Sequence, residues 1–385
     1  MIEKAFHGGR AYRGWLALLA VVAAAGFLFY RRQLGYGLGI TGMSRDVTWG
    51  FYIAQFTFLV GVAASAVMVV LPCYLHDYKA FGRITVLGEF LAVGCVLLCI
   101  LFVFVDLGQP WRVMNVFLYP SPRSVMFWDM IVLSGYFLLN LTVGWAALKA
   151  EAQGLHPPAW TKPLVYLSIP WAVSIHTVTA FLYSGLAARH FWHTAILAPR
   201  FLASAFASGP ALLLLLCLIV RRTTKFDPGR EAIQKLAQIV AYAMCLNVFF
   251  VGLEFFTVYY GQVPGEIDSL RFLFFGLDGH GSLVPLMWTA AALAAVGIAL
   301  LVVPRARHSE PLAAVAAVAV FVACWIDKGI GLMVAGFTPT PFHAVTDYAP
   351  SGPELVITAG VYAVGALVIT LLFKIAIGVK EGAES

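Results

Sequence analysis

Ten apolar stretches divide the chain, at residues 14–30, 49–75, 84–106, 125–148, 164–187, 199–220, 236–260, 283–303, 312–335 and 354–377. Each is close to the ~20 residues that an α-helix needs to cross a hydrocarbon core of ~30 Å. The pattern predicts an all-α polytopic membrane protein with ten transmembrane helices in a single integral membrane domain over 1–385. The first stretch follows Lys4, Arg10 and Arg13, and no small-residue cleavage site precedes the glycine-rich segment at 31–42. It therefore reads as a retained helix and not as a signal peptide.

Five of the stretches are interrupted by titratable residues, at Asp106, Asp129, His176, Glu254 and the adjacent pair Asp327 and Lys328. An ionisable group inside a bilayer costs roughly 2.5–3.5 kcal/mol even on lenient insertion scales, so a set of them marks a functional pocket by default. Glu89 stands apart, toward the other end of the third stretch.

Composition agrees with the pattern. The 385 residues are 61% hydrophobic and 11% charged, against about 25% charged in soluble domains. Of the 25 lysines and arginines, sixteen fall in the amino terminus, the even-numbered connections and the carboxyl terminus. Eight fall in the odd-numbered connections, counting Arg200 with the fifth, and Lys328 lies within a stretch. The positive-inside rule then places both termini in the cytoplasm and the chain in the inner membrane. A net charge of +6 in this setting reports topology and lipid headgroups, not nucleic acid.

In that orientation the connections at 31–48, 107–124, 261–282 and 336–353 face outward. They are long, rich in Gly, Pro and aromatic residues and poor in charge. Long connections are functional or disordered, and apolar composition argues against disorder. The expectation is a docking platform for an external partner; the alternative is that they fold back to plug the bundle.

Alternating helix direction puts Asp106 and Asp129 near outer helix ends, His176 near the midplane, Glu254 in the outer half and Asp327 slightly outside the centre. Asp327 and Lys328 point about 100° apart on a helix and are poorly placed to neutralise one another. Glu254 or Asp129 could serve Lys328, and His176 or a water could serve Asp327. Each residue has a structural alternative. Asp106 could cap its helix or hold Arg112, His176 with Thr179 and Tyr183 on one face could be a satisfied core histidine, Glu254 could bond Asn247, and Glu89 could be interfacial.

His176 is the sole histidine well inside a stretch, so a b-type haem with two imidazole ligands is not expected. The six cysteines, all within apolar stretches, form no close-spaced cluster that would hold iron–sulfur or zinc, and no metal site is expected. No glycine-rich phosphate loop is present.

A membrane pocket with carboxylates, a histidine and tyrosines but no redox metal suits a quinone. Quinol oxidation releases two protons with two electrons, so it needs side chains that bond the ring oxygens and accept protons near neutral pH. The electrons must then leave through a cofactor on another subunit.

The segment Asp46-Val47-Thr48-Trp49-Gly50-Phe51-Tyr52-Ile53-Ala54 resembles the NrfD-like, polysulfide-reductase C family of quinone-interacting membrane subunits. So do Val105-Asp106-Leu107-Gly108-Gln109-Pro110-Trp111-Arg112, Ser124-Val125-Met126-Phe127-Trp128-Asp129 and Trp325-Ile326-Asp327-Lys328-Gly329. The similarity spans about residues 10 to 378. Together with the turn Tyr74-Leu75-His76-Asp77-Tyr78-Lys79, these segments look closest to the DsrP-type branch, membrane subunits of the sulfite-reduction-associated Dsr (DsrMKJOP) complex.

The resemblance implies two four-helix bundles, helices 2–5 (49–187) and 6–9 (199–335), flanked by helices 1 (14–30) and 10 (354–377). It implies no haem, iron–sulfur or metal on this chain, and a menaquinol site near the outer face beneath a periplasmic ferredoxin-like iron–sulfur subunit, with other membrane and cytochrome subunits in the complex. The family's pocket matches Trp49, Tyr52, Gln55, Asp106, Arg112, Asp129 and His176 here, with Tyr183 one turn beyond Thr179. Glu254, Asp327, Lys328 and Glu89 are then candidates for proton handling. A transporter or ion channel is the competing class, poorly supported because the inner half holds few polar residues beyond Glu89, Asn140 and Asn247. A structural anchor has no use for the cost of the charges.

Overall fold

The structure is a computed structural model that describes residues 2–63, 65–76 and 78–383; Asp77 of the 74–79 turn lies outside the described residues. Among these, ten helices are long and apolar enough to cross a membrane. They are α1 (Arg10–Tyr36), α2 (Phe51–Leu75), α3 (Thr85–Asp106), α4 (Val125–Ala152) and α5 (Thr161–Ser184). The remainder are α6 (Leu197–Thr223), α7 (Arg230–Gly261), α8 (Val284–Val302), α9 (Glu310–Ala335) and α10 (Gly352–Ala383).

Six helices, α1, α4, α6, α7, α9 and α10, run past their apolar stretches, because polar residues end a hydropathy run without ending a helix. α1 continues through Arg31, Arg32 and Gln33 and stops at Gly37, whose φ of 73° breaks the ladder while its N–H still bonds the Gln33 carbonyl. Arg31 and Arg32 therefore belong to the helix and not to the first connection. Gln33 is buried, its amide donating to the Val105 carbonyl at 2.6 Å, so this polar turn is held against α3.

α2 packs on α3, α3 on α4, and α4 on α5; α6 packs on α7 and α9, and α8 on α7 and α9. α1 lies along α10, which in turn covers α3 and α4. A seam joins α2 and α5 to α6, and α2 to the middle of α9. Lipid supplies no hydrophobic drive between helices, so close approach by small residues matters. At the α1–α10 crossing a Cβ on Gly26 would stand 2.6 Å from the Cα of Gly360.

One face of the bundle, the near face, carries the start of α1 and the end of α10, where Lys4 Nζ donates to the Gly378 carbonyl at 2.5 Å. The far face carries the connections at 41–50, 107–124, 185–196, 262–283 and 336–351. These do not behave alike. Trp111 and Phe342 are 85% and 89% exposed, whereas Phe337, Thr338 and Thr340 turn back into the bundle and are buried. The connection at 262–283 contains its own helix, Pro264–Phe274. Glu354, fully buried at the start of α10, accepts hydrogen bonds from Gly42 N at 2.9 Å, Phe51 N at 3.1 Å and the Tyr348 hydroxyl at 2.5 Å. A single carboxylate thus ties three chain segments together at the far face.

Candidate functional site

α9 is not a regular α-helix. Its residues Trp325–Gly331 form a π-helical turn, and that turn carries Asp327 and Lys328. Wider π turns loosen the ladder and re-aim side chains, and they concentrate at functional sites. Asp327 turns toward α6, where Arg200 donates from Nη2 at 2.6 Å and bonds Glu254 of α7 through Nη1. All three side chains are at most 18% exposed.

This corrects the expected pairing. Arg200 lies in the first turn of α6 and is buried, not in the fifth connection, and it serves both Glu254 and Asp327. Neither Glu254 nor Asp129 pairs with Lys328, and His176 does not bond Asp327. The physical reason is reach and charge: the Arg200 guanidinium is a planar fork whose two Nη groups point to Glu254 and Asp327 at once, whereas a neutral imidazole has neither the charge nor a second donor. Asn247 does not bond Glu254 either, and its Oδ1 has no partner among the described residues.

Lys328 instead enters the seam. Its Nζ donates to the Phe201 carbonyl at 3.3 Å and sits 4.3 Å over the Phe201 ring. A Cβ on Gly61 of α2 would stand 2.9 Å from that Nζ, so the glycine makes room for the ammonium between α2 and α6. Lys328 is 4% exposed.

The residues of the first half occupy several levels. Asp129 accepts from Thr179 Oγ1 at 2.6 Å, and Tyr183 and Thr57 share a 2.5 Å hydroxyl pair. Among the described residues, fully buried His176 has no partner at either ring nitrogen, and Asp106 Oδ1 has none. Tyr52 donates to Gln33 Oε1 at 2.8 Å, and Gln55 Oε1 accepts from Trp325 Nε1 at 2.7 Å and Tyr362 Oη at 2.6 Å, so both are engaged by protein. Arg112 is exposed and forms no ion pair with Asp106. Glu89 lies near the other face, its Oε2 unpartnered.

A cavity of about 400 Å³ opens at the far face, walled by Thr48, Trp49, Leu186, Arg189 and Phe337. Trp49 stacks on Trp192 at 5.9 Å and meets Tyr183 edge-on at 5.8 Å, while the Arg189 guanidinium sits 4.5 Å over the Phe337 ring. Trp192 is in turn fixed by its Nε1 donating to the Leu332 carbonyl at 2.8 Å. Arg189 and Trp192 were not legible as site residues from spacing, because both fall in a connection and meet Trp49 only through the fold. Two carboxylates at this face are shifted. Burial raises Glu266, against the pull of His190 and His193. Burial alone would raise Asp347 too, but hydrogen bonds from Ser282 and His280 outweigh it and hold that group below its ordinary range.

The family model for polysulphide reductase, NrfD, matches residues 39–341. The chain belongs to this family. Over 406 aligned residues, covering 94% of the chain and 90% of the relative, it is 27% identical to a protein of Halobacterium salinarum provisionally named as a membrane subunit of dimethyl sulfoxide reductase. It is also 27% identical to the Hdr-like menaquinol oxidoreductase integral membrane subunit of Archaeoglobus fulgidus, over 68% of the chain and 64% of that protein. A polysulfide reductase component of Wolinella succinogenes is 25% identical over 67% of the chain and 82% of its own length. The first two of these relatives are named as membrane subunits of oxidoreductases and the third as one chain of a reductase.

Proposed function

We propose that this NrfD-family chain is the quinone-interacting subunit of a respiratory complex, exchanging electrons between menaquinol or menaquinone in the bilayer and an iron–sulfur subunit seated on the far face. The observation that carries the reading is the cavity of about 400 Å³ behind Trp49. Its size falls within the roughly 300–1,000 Å³ of small-molecule sites, with aromatic walls and one cationic rim residue. The relative named as a menaquinol oxidoreductase subunit supports the same chemistry.

Bound menaquinol would supply two electrons and two protons. The chain's own part is to orient the ring, with Trp49 and Phe337 as walls and Arg189 at the rim, and to take protons. Asp106, Asp129 and His176 are the groups assigned to that task, with Tyr183, Tyr52 and Gln55 positioning and Arg112 at the surface. The electrons leave to the partner, and no haem, iron–sulfur or metal is assigned to this chain, because one intramembrane histidine and scattered cysteines make no ligand set.

In this reading the bundle at 49–187 handles quinone and the bundle at 199–335 handles protons through Glu254, Asp327 and Lys328, to which Arg200 is now added. The near face is cytoplasmic and the membrane is the inner one, by the distribution of lysine and arginine. The finer assignment is to the DsrP-type branch and dissimilatory sulfur metabolism, on the motifs at Trp49–Ala54 and Trp325–Gly329. Purified complex should carry extractable menaquinone, and Trp49→Ala should slow quinol oxidation at least about tenfold with insertion and assembly intact. Unaltered kinetics in that variant would remove the cavity from this reading.

A further inference from the structure

A second cavity, of about 250 Å³, lies at the opposite end of the molecule. Its walls come from the near-face ends of four helices: Tyr74 of α2, Glu89 of α3, Ala147 and Glu151 of α4, and Lys380 of α10. At its rim Lys380 Nζ donates to both carboxylate oxygens of Glu151 at 2.9 Å, and Lys380 is itself 5% exposed. At its inner wall stands Glu89, 2% exposed, with Oε2 lacking any partner among the described residues. The ion pair and Glu89 thus line one cavity.

A buried carboxyl without a partner costs free energy that a hydrogen-bonded one does not. It persists where water reaches it, and a cavity this size, whose otherwise apolar walls carry two carboxylates, an ammonium and a phenol, is roomy enough for several waters with partners among those groups. The charged ring at the rim would keep lipid tails out. An interfacial acid merely exposed at a helix end would instead show at the surface, which Glu89 does not.

We propose that this cavity is a hydrated vestibule through which Glu89 exchanges protons with the aqueous phase at the near face, with the Glu151–Lys380 pair as its mouth. A proton delivered along the waters converts the Glu89 carboxylate to the acid, and the reverse step returns it to water; no electron moves. The inference rests on the quinone-linked proton handling proposed above, for which the sequence makes Glu89 a candidate, and adds the route, the mouth residues and the side of the membrane served.

The test uses the assembled complex in sealed vesicles of either orientation. Ala147→Cys in a Cys73→Ala background should react with a membrane-impermeant cationic methanethiosulfonate from the near face only, at least about tenfold faster than the buried Cys217. Infrared difference spectra in H₂O and D₂O should show an exchangeable carboxyl band that Glu89→Gln removes, and Ala147→Phe, which fills the cavity, should slow that exchange at least about fivefold. No modification from the near face, or a carboxyl band indifferent to Glu89→Gln, overturns the vestibule. Quinol oxidation measured on the same samples separates the two ideas, since its absence in the parent would count against the proposed function and leave the labelling result standing.

Discussion

Arg200 reaches Asp327 across 2.6 Å and holds Glu254 with its other nitrogen, so one cation serves two buried carboxylates on different helices. With both acids ionised the trio carries a net charge of −1, and Lys328 on the next residue of the π turn is the nearest cation that could balance it.

Replacing Arg200 by Met should be strongly destabilising, on the order of 3–5 kcal/mol, because removing one partner of a buried ion pair leaves uncompensated charge. The combined change with Glu254→Gln and Asp327→Asn should recover much of the loss. Thermal unfolding of the detergent-solubilised complex measures both. Equal melting temperatures for the parent and Arg200→Met would show that the cluster holds no structural weight.

The ten helices were legible because the length of an apolar run is dictated by bilayer thickness. Helix ends were less so: Arg31, Arg32 and Gln33 look like a connection but lie in α1, where Gln33 finds the Val105 carbonyl. At the site, Glu254, Asp327 and Lys328 stood out as charges in apolar runs, yet their partner did not. Arg200 sits three residues inside its helix, and a cation so near a helix end looks like a topology signal until the tertiary fold brings two acids to it. Its signal was present, since two buried carboxylates at similar depth require a cation. The π turn and the stacking of Trp49 on Trp192 depend on packing between distant segments, which no local pattern encodes.

Asp327→Asn separates a structural from a proton-handling role for the cluster. The neutral amide keeps a hydrogen-bond acceptor for Arg200 at similar volume, so the complex should assemble normally. Reconstituted in liposomes with quinol as donor, the variant should show altered proton release per quinol at near-parental electron transfer. Failed assembly would assign the cluster to helix packing alone.

His176→Ala tests the quinone side of the seam. His176 is fully buried with both ring nitrogens unpartnered among the described residues, so its loss removes no hydrogen bond seen there and leaves a cavity. Insertion should be normal and stability lower by about 1–3 kcal/mol, while quinol oxidation should fall by roughly the 10²–10⁴-fold that a positioned acid–base group contributes. Parental quinol kinetics in this variant would release His176 from the mechanism.

Asp347 predicts how the far face responds to acid. It accepts from Ser282 Oγ at 2.7 Å and lies 2.7 Å from His280 Nδ1, joining the connection before α8 to the one before α10. These bonds hold the Asp347 carboxyl below its ordinary range despite burial. A depressed folded-state value means that the link contributes fully above the unfolded aspartate pKa of about 3.9 and is lost as pH falls through the lower folded value. Nδ1–H of a neutral imidazole can still donate, so deprotonating His280 need not break it. Hydrogen exchange at 276–282, compared with Asp347→Asn, should therefore show a constant protection difference between about pH 5 and 8 that disappears only below about pH 4. A difference that already fades above about pH 5 would mean that the hydrogen bonds to Asp347 do not hold these two connections together.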